Sequence, residues 1–210
     1  MLELVEQMKS KLSKEEWKRL FLVLIPTLII AIGAGFSVPF FNLFFLFTYG
    51  MTAENYSIVV GLSHLLVFSF MLFTPWIRSR FGFKFGIIGI QSLGIVCLIV
   101  MTWADVFLPI SIAFIAAISF FLLRQPLMNS AQPLIAEFNI SIVGKKNQPL
   151  LGTIQATIWA GSFWFSSTLF AILRKMELSY VKIFSITIGL YIVGVVAWYC
   201  IIKYFEKKEL

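Results

Sequence analysis

The chain has 210 residues, of which 60% are hydrophobic and 13% are charged, and its mean hydropathy is +0.92. An ordinary soluble domain is roughly 45–50% apolar and about 25% charged, so this composition excludes that class, and the abundance of apolar residues excludes a disordered chain. Because a membrane-spanning helix needs roughly 20 apolar residues, the chain has room for about six such helices and for no separate soluble domain of ordinary size.

The net charge of +7 does not by itself indicate a nucleic-acid partner. No basic patch is interleaved with exposed aromatic residues, so nucleic-acid binding is not expected, and the basic residues are better explained as loop residues that fix membrane orientation. Cys97 and Cys200 lie in separate apolar runs, which favours packing roles over a disulfide or a metal pair. The first apolar run begins near Leu20 and is too long for a cleavable signal peptide.

The elements in chain order begin with a predicted cytoplasmic amphipathic segment, residues 1–19. Its apolar residues have helical spacing: Leu2, Val5, Met8 and Leu12. Ser13 and Glu16 form a capping-box pattern that predicts a helix start. Six apolar segments follow, at about 20–47, 57–77, 85–101, 108–138, 149–173 and 180–204.

The six segments are predicted to be helices, because lipid cannot satisfy free backbone groups. They also lack the polar–apolar alternation that a membrane β-barrel needs. The expected fold is therefore an all-α membrane protein, with a six-helix transmembrane bundle over residues 20–204 and a cytoplasmic tail over residues 205–210.

The basic residues predict the orientation of this bundle. With six spans both termini lie on one side, and thirteen of the 17 Lys and Arg residues fall in the termini and loops of that side. The opposite side carries only Arg174, Lys175 and Lys182. The positive-inside rule then predicts cytoplasmic termini, in a plasma membrane or a bacterial inner membrane.

A short sequence motif that occurs twice suggests an internal repeat of three spans plus three. Pro39 and Asn42 in the first span, and Pro126 and Asn129 in the fourth, both read Pro-x-x-Asn. Pro and Gly interruptions at corresponding places in two inverted repeats are typical of transporter binding sites. The first span also contains Gly33 and Gly35, which are expected to weaken its helix in the same way.

The loop between the second and third spans resembles the loop motif of the major facilitator superfamily, Gly-x-x-x-Asp-Arg-x-Gly-Arg-Arg/Lys. Three positions match it, Arg80, Gly82 and Lys84. Three depart from it, Pro75 for the leading Gly, Ser79 for the Asp and Phe83 for a basic residue. This partial match is more similar to the motif in the C-terminal half of these transporters than to the motif in the N-terminal half.

Two spans extend this resemblance to residues 17–205. Residues 33–43 resemble the seventh helix of the family, and residues 123–134 resemble the tenth. The resemblance implies a 3+3 inverted-repeat bundle that is one half of a major facilitator fold, in which two bundles rock around a central site. One bundle cannot enclose that site, so a second six-helix bundle is expected: a copy of this chain in a homodimer, a complementary half-length chain, or a missing N-terminal half.

Arg124 is the first candidate for solute binding, because a cation deep in a span is costly unless it is paired or hydrated. It either faces a cavity, where it holds an anionic solute group or a carboxylate of the second bundle, or it ties neighbouring helices together. Gln125, Asn129 and Gln132 follow at helical spacing and form an amide face that lines a cavity or bonds helices to each other.

The fifth span carries a polar and aromatic stripe at helical spacing, Gln155, Trp159, Ser162 and Ser166. The stripe fits a cavity lining and close helix packing equally well. We include Gln155 and Trp159 among the candidate solute contacts, and Asn42 joins them through the Pro-x-x-Asn motif.

The remaining candidates concern gating and proton coupling. Glu137, the only acidic residue within a predicted span, is expected to pair with Arg78 or Arg80 in a cytoplasmic gate, to which Gly82 and Lys84 of the loop motif also belong. His64, the only histidine, is a candidate proton-linked residue, although a lone histidine is more often a hydrogen-bonded structural residue.

An enzyme is not expected, because the chain lacks a metal-ligand cluster and a Gly-x-Ser-x-Gly elbow. No cofactor or metal is expected either. The sequence instead predicts a half-unit that transports a small solute by alternating access, with an anionic or amphipathic molecule as one option. The alternatives are a non-transporting membrane assembly or interaction subunit, and a C-terminal fragment of a twelve-helix transporter.

Overall fold

The computed structural model describes residues 12–209, and within that range it contains helices and no strand. The helices are α1 (Lys14–Ser37), α2 (Phe41–Tyr49), α3 (Ala53–Phe83), α4 (Ile90–Phe107), α5 (Ile110–Val143), α6 (Gln148–Lys175) and α7 (Tyr180–Glu209). A 3₁₀ turn, Val38–Phe40, joins α1 to α2, and a π-helical turn, Lys84–Gly89, joins α3 to α4. A second 3₁₀ turn, Lys145–Asn147, precedes α6.

Five continuous helical stretches are long and apolar enough to cross a membrane: Lys14–Tyr49, Ala53–Phe107, Ile110–Val143, Lys145–Lys175 and Tyr180–Lys207. Large apolar side chains point outward from them, among them Phe107, which is 76% exposed, and Trp164, which is 74% exposed. A soluble protein rarely exposes so much contiguous apolar surface, whereas lipid accommodates it. The structure is therefore all-α and compatible with an integral membrane protein, as the composition predicts.

The first helix begins where the capping-box pattern predicts. The Ser13 backbone N–H donates to Glu16 Oε2 at 2.7 Å, and the Glu16 N–H donates to Ser13 Oγ at 3.2 Å. The predicted boundary between residues 19 and 20 falls inside α1, so the end of the amphipathic segment is continuous with the first span. The remainder of that segment, with Leu2, Val5 and Met8, lies outside the described residues. The predicted tail from residue 205 continues α7 as far as Glu209.

Gly82 interrupts the helical path near the end of α3. Its backbone has φ 70° and ψ −175°, a conformation that is essentially restricted to glycine because a Cβ would clash with the neighbouring peptide groups. The chain leaves α3 here and enters the π-helical turn before α4. The glycine of the loop motif is therefore required by local backbone geometry.

We expect Gly82→Ala to lower the free energy of unfolding by about 1–2 kcal/mol, the cost of forcing an L residue into a positive-φ conformation. Gly189→Ala in the helical interior of α7 is the matched control, since a Cβ there would meet nothing within 4 Å. Thermal unfolding of both variants in mild detergent tests this. Equal unfolding temperatures for the two variants would show that the break does not depend on glycine.

The helices pack in two groups, and the most extensive contact between the groups is that of α4 with α7. α1 packs against α6 and α7, α5 packs against α3 and α4, and α4 packs against α7. The first group approaches closely enough for side chains to bond the backbone of α1: Ser166 Oγ donates to Ile32 O at 2.9 Å, and Thr187 Oγ1 donates to Gly33 O at 3.0 Å. Gly35 permits this approach, because a Cβ there would lie 2.6 Å from Ser166 Cβ.

The helix ends gather in two sets, and the first, which we call the basic end, comprises residues 14–19, 78–85, 137–148 and 199–207. Arg19 Nη1 donates to Ile142 O at 3.2 Å, and the Lys84 ammonium lies 5.2 Å from the ring centre of Tyr199. The Arg19 guanidinium carbon also lies 5.9 Å from the ring centre of Phe205, so these contacts join the start of α1, the turn after α3, the end of α5 and the end of α7. The helix ends that carry most of the described Lys and Arg residues therefore lie together.

The second set, which we call the aromatic end, comprises residues 47–56, 105–114 and 174–180. The Tyr49 and Phe114 rings lie 5.5 Å apart, and those of Phe47 and Tyr180 lie 6.4 Å apart. The turn after α2 closes with Gly50 at φ 68°. Successive helix ends along the chain alternate between the two sets.

Candidate functional site

A cavity of about 210 Å³ lies among α1, α4, α5, α6 and α7, and we call it the amide cavity. Ile30, Ile135 and Ala136 supply apolar walls. Its polar or aromatic lining residues are Thr27, Gln91, Gln132, Gln155, Trp159 and Trp198. The cavity lies toward the basic end, since all of these residues except Thr27 are nearer to that end of their helices.

The structure brings three of the predicted solute contacts together in this cavity. Gln132 is exposed on α5, while Gln155 and Trp159 are half-buried on α6. The helical spacing that places Gln155 and Trp159 on one face of α6 also turns both toward the cavity. Their contact with a solute stays a prediction.

Sequence reasoning missed two residues of the same cavity, Gln91 and Trp198. Gln91 on α4 is 0% exposed, and neither of its amide atoms finds a hydrogen-bond partner among residues 12–209. Trp198 on α7 is 1% exposed, and its indole N–H is likewise unpartnered in the described part of the chain. Gln91 could have been noticed as the only amide in the predicted third span, 85–101, whereas nothing in the sequence distinguishes Trp198 from the other tryptophans.

Arg124 lies inside the bundle and is only 1% exposed. Its Nη1 donates to Gln125 Oε1 at 3.1 Å and its Nη2 to Tyr191 Oη at 3.2 Å, while the Phe41 ring centre lies 4.9 Å from its guanidinium carbon. These partners sit on α5, α7 and α2. The enclosure favours the second interpretation of this residue, a tie between neighbouring helices, and a solute-binding role stays a prediction.

The three amide residues of the predicted face of α5 have different surroundings. Gln125 meets Arg124, and Asn129 Nδ2 donates to the Gln125 carbonyl at 2.8 Å, whereas Gln132 lines the amide cavity. Asn42, the counterpart of Asn129 in the repeated motif, lines a separate cavity of about 350 Å³ between α2 and the start of α3. The two asparagines therefore do not share a site.

The polar stripe of α6 also divides, at the point where the helix meets α1. Ser162 and Ser166 are buried, and both lie against Gly35. Gln155 and Trp159 lie nearer the basic end and line the amide cavity. The two interpretations of the stripe, close packing and cavity lining, thus each apply to half of it.

The predicted gate residues lie together at the basic end. Glu137 Oε1 pairs with Arg78 Nε at 3.2 Å, as one of the two expected pairings predicts, and the Arg78 guanidinium carbon stacks 3.5 Å from the Phe83 ring centre. Arg80 is exposed. Lys84 lies over the Tyr199 ring, and Gly82 forms the break between α3 and α4. A gating role for these residues stays a prediction.

His64 lies at mid-length on α3 and is exposed. Its Nδ1 lies 2.8 Å from the Val60 carbonyl oxygen, so one ring nitrogen bonds the backbone of its own helix. Within residues 12–209 no group of three or more His, Cys, Asp or Glu side chains could hold a metal ion. Cys97 is buried, which fits the expected packing role, whereas Cys200 is exposed and does not.

No family model, curated protein or solved structure matches the chain.

Proposed function

We propose that the chain is one six-helix half of a membrane transporter, similar to the C-terminal half of a major facilitator transporter, and that it works against a second six-helix bundle. The observation that carries the proposal is the pattern of helix packing. It is unchanged when the first three spans are exchanged with the last three.

The proposal divides the stretch Ala53–Phe107 into two crossings. At 1.5 Å per residue its 55 residues would extend about 80 Å as one straight helix, far more than the roughly 30 Å hydrocarbon layer. The stretch breaks at Gly82, and the residues beside the break contact α5 and α7 at the basic end. The chain then crosses between the basic and aromatic ends six times, and both described termini belong to the basic end.

The exchange symmetry supports a 3+3 repeat. The six crossings are α1 with α2, then α3, α4, α5, α6 and α7. The first crossing packs against the fifth and sixth, the fourth packs against the second and third, and the third packs against the sixth. Exchanging the first crossing with the fourth, the second with the fifth and the third with the sixth reproduces the same set of contacts, as expected for two inverted repeats.

The two least buried crossings, α3 and α6, occupy equivalent positions under this exchange. Among the described residues of α3 only Ser63 and Thr74 are buried. Exposed polar groups accompany the apolar surface, including His64 at mid-length on α3 and Thr157 on α6. Polar groups at such depth are costly in lipid, so we assign these two faces to the second bundle.

Charge supports an orientation with the basic end in the cytoplasm. Lys14, Lys18, Arg80, Lys145 and Lys146 lie there, whereas Arg174, Lys175 and Lys182 lie at the aromatic end. We therefore assign cytoplasmic termini in a plasma membrane or a bacterial inner membrane. The Arg78–Glu137 pair then closes the cytoplasmic side between α3 and α5.

The test combines mass and flux. We expect light scattering of the chain, purified in mild detergent, to give the mass of two bundles, and liposomes containing it to accumulate a solute from a radiolabelled panel of sugars, amino acids and carboxylates. His64→Trp on the α3 face should reduce the two-bundle fraction at least tenfold. Ile99→Trp on the outer face of α4, where the native residue is 37% exposed, is the matched control.

Three results would count against the proposal. A monomer in detergent that moves none of these solutes is the result expected of an assembly subunit or of an isolated fragment. A two-bundle mass that survives His64→Trp unchanged would remove α3 from the interface. Flux without a second bundle would show that one bundle suffices.

A further inference from the structure

The amide cavity contains buried hydrogen-bonding groups with no partner in the described chain. They are both amide atoms of Gln91 and the indole N–H of Trp198, in side chains that are 0% and 1% exposed. An unpaired buried polar group costs free energy comparable to a lost hydrogen bond, and native proteins tolerate few of them. Two such side chains lining one cavity indicate a molecule that supplies their hydrogen bonds.

The cavity lining is uncharged. Arg124, the buried cation of the bundle, is not among its lining residues and is enclosed by Phe41, Tyr191 and Gln125. An ion placed in the cavity would lose its hydration without gaining a counter-charge, which is unfavourable. The ligand that fits is therefore neutral, and not the anionic solute that Arg124 suggests from the sequence.

The lining groups also indicate the polar chemistry of the ligand. Gln91, Gln132 and Gln155 each offer a donor and an acceptor, and the Trp198 indole offers a donor. A hydroxyl group both donates and accepts, so it complements an amide without a protonation change. The rings of Trp159 and Trp198 supply apolar surface for C–H groups. The volume of about 210 Å³ lies below the roughly 300–1,000 Å³ of drug-sized sites, which limits the ligand to a small molecule.

We infer that the amide cavity binds a small uncharged polyhydroxylated solute, with Gln91 and Trp198 as buried anchors and Gln132, Gln155 and Trp159 nearer the entrance. The inference rests on the proposed function only in taking this molecule as the transported solute. The lining residues described belong to this chain, so binding can be measured on the purified chain independently of flux.

The experiment titrates the purified full chain in detergent with D-glucose, myo-inositol and glycerol, and with D-gluconate and D-glucosamine as charged counterparts of glucose. Binding is measured from tryptophan fluorescence and from the unfolding temperature. We expect at least one neutral probe to saturate the fluorescence change and raise the unfolding temperature. Both charged counterparts should bind at least tenfold more weakly than glucose.

Gln91→Leu is the decisive variant. Because it replaces an unpartnered amide by an apolar side chain of similar volume, its unfolding temperature without ligand should equal or exceed that of the parent chain. Its affinity for the neutral probe should fall at least tenfold. Ser92→Ala is the matched control, since Ser92 is the adjacent residue on α4, is exposed and does not line the cavity, and its affinity should not change.

Three outcomes would overturn the inference: a folded protein that binds none of the neutral probes, equal affinity for glucose and its charged counterparts, or unchanged affinity in Gln91→Leu. A different result would contradict the proposed function. A monomeric chain that binds a neutral probe but gives no flux would contradict transport and would support this site.

Discussion

Gly35→Val should lower the free energy of unfolding by about 3 kcal/mol, near the upper end of the usual cost of overpacking. A Cβ at position 35 would lie 2.6 Å from Ser166 Cβ and 3.0 Å from the Ser162 carbonyl oxygen. The second of these is a backbone atom, so a side-chain rotation cannot relieve the contact. The two helices would have to separate, and the bond from Ser166 Oγ to Ile32 O would lengthen or break.

Gly189→Val makes the same chemical change in the interior of α7, where nothing lies within 4 Å of the added Cβ. It should leave the unfolding temperature nearly unchanged, because a valine is no worse than a glycine in a helix interior. The measurement is thermal unfolding of both variants in the same detergent. If both variants lose stability equally, the loss comes from the helix and not from the contact between α1 and α6.

Both substitutions concern packing, and packing marks the limit of what the sequence could predict. The helical character of the apolar segments could be predicted because each apolar run is long and because backbone groups in an apolar environment need internal hydrogen bonds. The ends of these segments agree with the structure to within several residues: the segment 57–77 lies within Ala53–Phe83, and the segment 149–173 lies within Gln148–Lys175. The capping box at Ser13 is likewise local, so it could be read directly.

The direction in which polar residues point could not be predicted in the same way. Ser166 and Gln155 lie on one face of α6, yet one bonds the backbone of α1 and the other lines a cavity. The difference arises from Gly35, which is close to Ser166 in space and remote from it in sequence. Gln91 was missed for a related reason, because a single amide in an apolar helix shows its burial only when α1, α5 and α7 are packed around it.

For Arg124 the partners expected from the sequence differ from those observed in the structure. The sequence predicts that a cation in a span holds a charged group, whereas the observed partners are neutral: Gln125, Tyr191 and the Phe41 ring. A side chain of this size that is 1% exposed fills space as well as carrying charge. Its two contributions can be separated by two substitutions that remove the charge but differ in volume.

Arg124→Ala should lower the free energy of unfolding by about 3–5 kcal/mol, since it leaves a cavity between α2, α5 and α7 comparable to that left by a buried aromatic residue. Arg124→Met keeps most of the volume and should cost about 1 kcal/mol or less, because replacing a buried charge by a well-packed apolar group is often neutral. Thermal unfolding of the purified protein, in its native oligomeric state, measures both.

The comparison between the two variants decides what the charge does. If Arg124→Met retains stability and retains the affinity for a neutral probe in the amide cavity, the arginine acts as a spacer and tie between helices. If Arg124→Met is as unstable as Arg124→Ala, the guanidinium group is required, through its charge or through its hydrogen bonds to Gln125 and Tyr191. Restoration of stability by Arg124→Lys would identify the charge as the requirement, since lysine keeps the charge but loses the planar hydrogen-bonding geometry that Gln125 and Tyr191 engage.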